Sequence, residues 1–149
     1  RICRALKRIA NDSINRLIIY PVHMNPKVQE PVRRILSGVN NVLLINPLAY
    51  QDFIWLMNRS KIIITDSGGV QEEAPSLGKP VLVTRDVTER VEAVESGIVK
   101  LVGTVKNVIL FETNQLLEDV QLYTAMSAMH NPYGDGKSSV RILNIIKTL

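Results

Sequence analysis

The sequence predicts an α/β fold: a doubly wound, mostly parallel, Rossmann-like sheet followed by a helical C-terminal tail. Three observations carry this expectation. Short runs rich in Val, Ile and Leu are apolar almost throughout, as in strands buried on both faces of a parallel sheet. Longer amphipathic segments separate the runs, and strict alternation of the two patterns makes βαβ units with right-handed crossovers. Length sets the scale: 149 residues, 46% hydrophobic and 21% charged, suffice for one domain around one core.

The first helix is expected over residues 1–11, where Arg1-Ile-Cys-Arg-Ala-Leu-Lys-Arg-Ile-Ala10 reads as a helix already under way. Nothing ahead of it offers a cap, so the chain reads as a piece of a longer one. Leu17–Tyr20 is the first strand. A helix over 27–37 follows, opened by Pro26 at a favoured first-turn position and closed by Gly38. Val42–Ile45 is the second strand, 50–58 the next helix and Lys61–Thr65 the third strand. A helix over 70–77, strand Val81–Val83, a helix over 89–96 and strand Ile98–Leu101 complete the alternation. The tail is helical over about 105–118, 120–129 and 138–148, with the Asn131-Pro-Tyr-Gly-Asp-Gly136 turn before the last segment. No internal repeat, linker or domain boundary interrupts residues 1–149. Sheets of this kind bind ligands beyond the carboxyl ends of their strands, so function is expected in the loops after Tyr20, Ile45, Thr65 and Val83.

Composition excludes a disordered, collagen-like or disulfide-stapled chain. The longest apolar runs, such as Val42-Leu43-Leu44-Ile45, fall far short of the roughly 20 residues that cross a bilayer. A single cysteine, Cys3, cannot close an internal disulfide, which makes a reducing cytoplasm the expected compartment. No charged-then-apolar leader opens the chain. The net charge of +4 is concentrated at the N-terminal end, where residues 1–50 hold 8 basic and 2 acidic side chains. No aromatic platform interleaves these basic residues, so they read as the solvated faces of two helices rather than a nucleic-acid surface.

The most informative stretch runs from Lys61 to Pro80. A buried strand ends in Asp66-Ser67-Gly68-Gly69, and a short helix starts at once. The glycines leave the backbone unobstructed, and free N–H groups at a helix N-terminus favour an anion. The Ser67 hydroxyl adds a donor. Together Ser67, Gly68 and Gly69 read as a diphosphate cradle, without the lysine of a P-loop and without G-x-G-x-x-G spacing. Glu73 lies about one turn into the helix and suits a pair of ribose hydroxyls, whereas Glu72, rotated by roughly 100°, is expected to be exposed. The plainer alternative is a tight turn followed by two glutamates that merely favour the helix start.

Arg90, in Thr88-Glu89-Arg90, can hold the diphosphate with its planar fork, or form a surface ion pair with Glu89 or Glu92. Phe53 can stack on a base or join the core, and Trp55 is expected in the core. His23 and His130 stand in turns and read as structural. No histidine–cysteine cluster has metal-ligand spacing, no Ser-His-Asp motif is present, and no residue asks for a cofactor.

Tyr20-Pro-Val-His-Met-Asn-Pro26, Thr65-Asp-Ser-Gly-Gly69, Gln71 to Val83, Thr88-Glu-Arg90 and Asn131 to Gly136 resemble the bacterial non-hydrolysing UDP-N-acetylglucosamine 2-epimerases. The resemblance extends over essentially the whole chain. It implies the C-terminal half of a glycosyltransferase-B-like architecture, with the active site in a cleft between two Rossmann-like domains. Ser67, Gly68 and Gly69 would then hold the diphosphate, Glu73 the ribose, Phe53 the uracil side and Arg90 a further UDP contact. Leu48 stands where some relatives carry glutamine, so only a backbone contact to uracil would survive there. His23 matches a histidine that contacts a second, regulatory UDP-N-acetylglucosamine in some members.

The implied reaction is an anti elimination of UDP to 2-acetamidoglucal, followed by re-addition to give UDP-N-acetylmannosamine. Its acidic groups belong to an N-terminal domain, and a histidine belongs to a His-Arg-Arg-Glu segment just upstream of Arg1. Neither is in this chain, so no catalytic residue is assigned and the chain alone is expected to be inactive. The same comparison implies a missing first strand from the middle of the sheet and a homodimer when full length. Two alternatives remain at this level: the donor-binding half of a glycosyltransferase-B-type glycosyltransferase, and a non-catalytic nucleotide-binding remnant.

Overall fold

A computed structural model describes residues 1–148 of the chain. The element order is α1 (Ile2–Asn11), β1 (Ile18–Pro21), α2 (Pro26–Leu36), β2 (Val42–Ile45), α3 (Tyr50–Arg59), β3 (Ile63–Thr65) and α4 (Gly68–Ser76). Then come β4 (Val81–Val83), α5 (Val91–Glu95), β5 (Val99–Leu101), α6 (Lys106–Glu118), α7 (Val120–Ser127) and α8 (Ser138–Ile146). The fold class is the expected one: α/β, with parallel strands between layers of helix.

Local chemistry explains the helix starts. Asn25 accepts from the Lys27 N–H at 2.9 Å and caps α2, with Pro26 at its first position. Gly38, just past the helix, takes φ +80°, which a side chain would disfavour. Asp119 accepts from the Leu122 N–H at 2.9 Å and so separates α6 from α7. The α1–β1 connection is closed by a contact that no local pattern announces. Asn41 Nδ2 donates to the carbonyls of Ala10 (2.8 Å) and Arg16 (2.7 Å) from the turn before β2.

The core has two parts on opposite faces of β4. Leu82 packs with Ala5, Leu6, Ile9, Leu36 and Ile109 from α1, α2 and α6. Val81 and Val83, pointing the other way, pack with Met57, Val70, Ala74 and Ala93 from α3, α4 and α5. Burying a side chain such as Leu82 contributes about 1.5–3 kcal/mol.

The strands do not join into one sheet. Among the described residues the strands form two parallel sheets, β1–β2 and β3–β4–β5, with no ladder joining β1 to β3. Their registers pair Ile18 with Val42, Ile63 with Val81 and Val81 with Val99. The expectation that every strand is buried on both faces therefore holds along its whole length only for β4. It alone has a neighbour on each edge, whereas β1 is only half-buried throughout. Burial pushes the Tyr20 phenol up, and Cys3 and the Asp66 carboxylate add to it. Trp55 also corrects its expectation. It is 61% exposed, under the Arg59 guanidinium at 5.2 Å, because the buried face of α3 passes through Met57 instead.

Candidate functional site

The ends of β3 and β4 are joined through Thr65. Its carbonyl accepts from the Thr84 N–H at 2.8 Å, and its hydroxyl accepts from the Ser67 N–H at 3.0 Å. The chain then turns directly into α4, whose first two residues are Gly68 and Gly69. The glycines, expected ahead of the helix, are thus its first turn. Ser67 is the N-cap but makes no side-chain cap hydrogen bond. The first N–H groups of α4 have no carbonyl one turn back, so this helix end presents unused donors and the positive end of its dipole. Ser67 and Gly69 are exposed, so the donors line an open shelf.

Neither glycine has positive φ, so what they supply is room rather than an unusual backbone. A Cβ on Gly68 would lie 3.2 Å from Glu89 Oε1 and 3.6 Å from Arg90 Nη2. A Cβ on Gly69 would meet only the Ser67 hydroxyl, at 4.0 Å. The first glycine thus admits the Glu89–Arg90 segment, and the second faces open space.

Arg90, the residue before α5, is brought to this shelf. Its Nε donates to the Glu72 carboxylate and its Nη1 lies 3.2 Å from Glu89 Oε1. The expected ion pair with Glu89 is present, the one with Glu92 is not among those formed, and Glu72 is the added partner. Glu72 is therefore half-buried and engaged rather than simply exposed, because the turn of helix that directs Glu73 elsewhere aims it at α5. Glu73 is half-buried and, among the described residues, makes no side-chain hydrogen bond or ion pair. Phe53 is partly buried against the cluster that contains Val70, which puts it on the α4 side of the fold.

His23 is not gathered into this group. It is exposed, and its Nδ1 accepts from the Asn25 N–H at 3.1 Å, in the turn that starts α2. Leu48 is at the surface just before α3, and His130 is exposed after α7.

Two residues join the site without having been singled out. Gln71 is completely buried on α4. Its Nε2 donates to the Ser67 carbonyl at 3.2 Å, and its Oε1 accepts from the Thr88 hydroxyl at 2.7 Å. The Thr88 hydroxyl in turn accepts from the Arg90 N–H at 3.1 Å. Tyr133 packs on the same cluster, its hydroxyl buried and without a partner among the described residues. Burial, then Glu92 and Glu72, push its phenol up, so it stays a neutral donor. A polar residue in an otherwise apolar helix face was the available signal for Gln71; Tyr133 had none beyond its turn.

The arrangement is a helix-start anion shelf with one guanidinium beside it and two carboxylates oriented on that guanidinium. A family model described as UDP-N-acetylglucosamine 2-epimerase matches residues 1–147. The chain belongs to that family. It is 59% identical over 146 residues to the UDP-N-acetylglucosamine 2-epimerase of Escherichia coli K12, covering 98% of this chain and 39% of the relative. The Campylobacter jejuni epimerase is 56% identical over 146 residues, with 98% of this chain and 38% of the relative covered. The crystal structure of the Neisseria meningitidis UDP-GlcNAc 2-epimerase bound to UDP-GlcNAc superposes with a TM-score of 0.95 at 45% identity. That superposition covers 99% of this chain and 40% of the Neisseria chain. The chain thus spans about two-fifths of the length of the epimerases it matches. Among the described residues of this epimerase-family chain, no helix is long and apolar enough to cross a membrane, and no group of three or more His, Cys, Asp or Glu could hold a metal.

Proposed function

We propose that the chain is the UDP-holding half of a non-hydrolysing UDP-N-acetylglucosamine 2-epimerase, an isomerase that interconverts UDP-N-acetylglucosamine and UDP-N-acetylmannosamine. The observation that carries the reading is the uncapped start of α4, with Ser67 and Gly69 exposed and Arg90 packed beside Gly68. The Neisseria relative, whose structure holds UDP-GlcNAc, supports a UDP-sugar as the ligand.

In this reading the first N–H groups of α4, the Ser67 hydroxyl and Arg90 hold the diphosphate. Negative charge grows on the departing phosphate oxygen as the C1–O bond breaks, and preorganised donors stabilise it without reorganisation. Retaining the departed UDP matters equally, since it must add back to C1 after the glycal is reprotonated on its other face. Glu73 accepts from the ribose hydroxyls and Phe53 lies by the uracil. The proton transfers at C2 fall to groups outside this chain, which leaves the chain inactive alone.

The same reading takes residues 1–149 as a nucleotide-sugar-binding domain that lacks its first strand and its N-terminal partner domain. The unjoined edges of β1 and β3, and the two-fifths share of its relatives, support it. We extend it to a homodimer of the full-length enzyme, a cytoplasmic location and a regulatory UDP-N-acetylglucosamine contact at His23.

Two measurements on the 149-residue chain test the proposal. Titration with UDP is expected to shift the amide resonances of Gly68, Gly69 and Val70, whereas uridine leaves them in place. Incubation with UDP-N-acetylglucosamine in deuterated water is expected to give neither C2 inversion nor deuterium uptake. Sustained turnover above a blank, or an unshifted glycine turn in the folded chain, refutes it.

A further inference from the structure

We infer that Gln71 is a positioning residue that locks the anion shelf to the loop carrying Arg90. The inference rests on the reading of that shelf as a diphosphate site and adds what holds its two halves in register. The halves come from different βα units: Ser67–Val70 follow β3, and Thr88–Arg90 follow β4. Strand pairing ends at Thr65 and Val83, so beyond Thr84 the ladder no longer fixes their separation.

Gln71 spans the gap with both ends of one amide. Its NH2 donates to the Ser67 carbonyl and its oxygen accepts from the Thr88 hydroxyl, which itself accepts from the Arg90 N–H. The orientation is fixed, because a flipped amide would set its oxygen against the Ser67 carbonyl. The side chain is completely buried, so water cannot replace either contact. The other link, Arg90 to Glu72, is between part-exposed side chains and is weakened by salt. A leucine would fill the same volume and make neither bond.

The test uses the full-length enzyme that contains this chain and three variants of it, Gln71→Leu, Gln71→Glu and Thr88→Val. In the absence of ligand, Gln71→Leu is expected to speed hydrogen exchange at the Arg90 N–H while leaving the β4 amides unchanged. It is expected to weaken UDP binding about five- to twentyfold, the scale of one or two lost hydrogen bonds. Thr88→Val should weaken it comparably, and combining either change with Arg90→Ala should add little. Gln71→Glu supplies a readout that a merely structural residue would not move. Burial raises the pKa of the introduced acid. Its neutral form reproduces the donor–acceptor pattern of glutamine, and its charged form faces the Ser67 carbonyl. Its UDP affinity relative to the parent is therefore expected to recover as pH falls, with no such recovery in Gln71→Leu.

Should Gln71→Leu not fold, the Gln71→Glu profile within one protein decides the matter. Unchanged Arg90 exchange, or a Gln71→Glu deficit independent of pH, overturns the lock. A parent enzyme that ignores UDP overturns the diphosphate reading instead, while the exchange result still decides whether Gln71 ties the two loops.

Discussion

Arg90 Nε donates to the Glu72 carboxylate, so the guanidinium beside Gly68 is aimed from the same helix that presents the anion shelf. Glu89 takes the other side of the fork, with its Oε1 3.2 Å from Arg90 Nη1. The hydrogen bond that Arg90 donates to Glu72 pushes the Arg90 pKa further up, and the neighbouring carboxylates add to it. A backbone hydrogen bond, then Arg90 and Arg85, hold the Glu89 carboxyl below the usual carboxylate range. The shelf therefore carries the Arg90 cation between two carboxylates, of which the exposed one, Glu89, lies against its first glycine.

Removing that anion should help an anionic ligand. Glu89→Gln is expected to tighten UDP about two- to fivefold at low ionic strength, the scale of one screened charge several ångströms away. Uridine, lacking the diphosphate, should be unaffected. Calorimetry with both ligands checks this, and equal effects on the two would place the diphosphate away from Glu89.

The ribose assignment makes a different demand. Glu73→Gln keeps the shape but loses charge-assisted hydrogen bonds, so UDP affinity should fall by about 1.5–3 kcal/mol. Deoxyribose analogues should already bind the parent weakly and lose little more in the variant. If both ligand types lose equally in calorimetric titrations, Glu73 is only a residue of the helix start.

Gly69 separates stability from binding. A Cβ there meets only the Ser67 hydroxyl at 4.0 Å, so Gly69→Val made in the full-length enzyme should fold with a thermal midpoint close to the parent's. In the proposed diphosphate site the same branched side chain would block phosphate oxygens from the N–H groups, so UDP binding should collapse while uridine binding is largely kept. A large drop in midpoint together with unchanged UDP affinity would reverse the assignment.

The last prediction concerns the two sheets. The edges of β1 and β3 that face away from their partners carry unpaired backbone donors and acceptors. The isolated chain is expected to melt with low cooperativity and to self-associate at micromolar concentrations. Sedimentation and calorimetry check this; a reversible, cooperative melt of a monomer at an ordinary temperature would show that the open edges cost little.

What was legible in the sequence follows from how far each interaction reaches along the chain. The helix start at Pro26 and the turn at Gly38 involve groups a few residues apart, so residue order alone dictates them, whereas α4 takes in the two glycines expected ahead of it. The alternation of apolar runs likewise determined the α/β class, and the different directions of Glu72 and Glu73 follow from helical geometry. Strand and helix limits were close as well, differing mainly where Lys61 and Ile98 lie outside ladders that begin at Ile63 and Val99.

Only the tertiary structure decided which distant groups meet. Glu72 reaches Arg90 across 18 positions, Gln71 reaches Thr88 across 17, and Asn41 reaches Ala10 across 31. None of these pairs has a local periodicity to announce it, because their approach depends on how neighbouring βα units stack. The same holds for Trp55, apolar enough for a core yet left at the surface once Met57 took the buried face of α3. It holds for the place of β4 between β3 and β5 too: a strand's composition records that it is largely apolar, while the identity of its neighbours is settled only when the layers close around it.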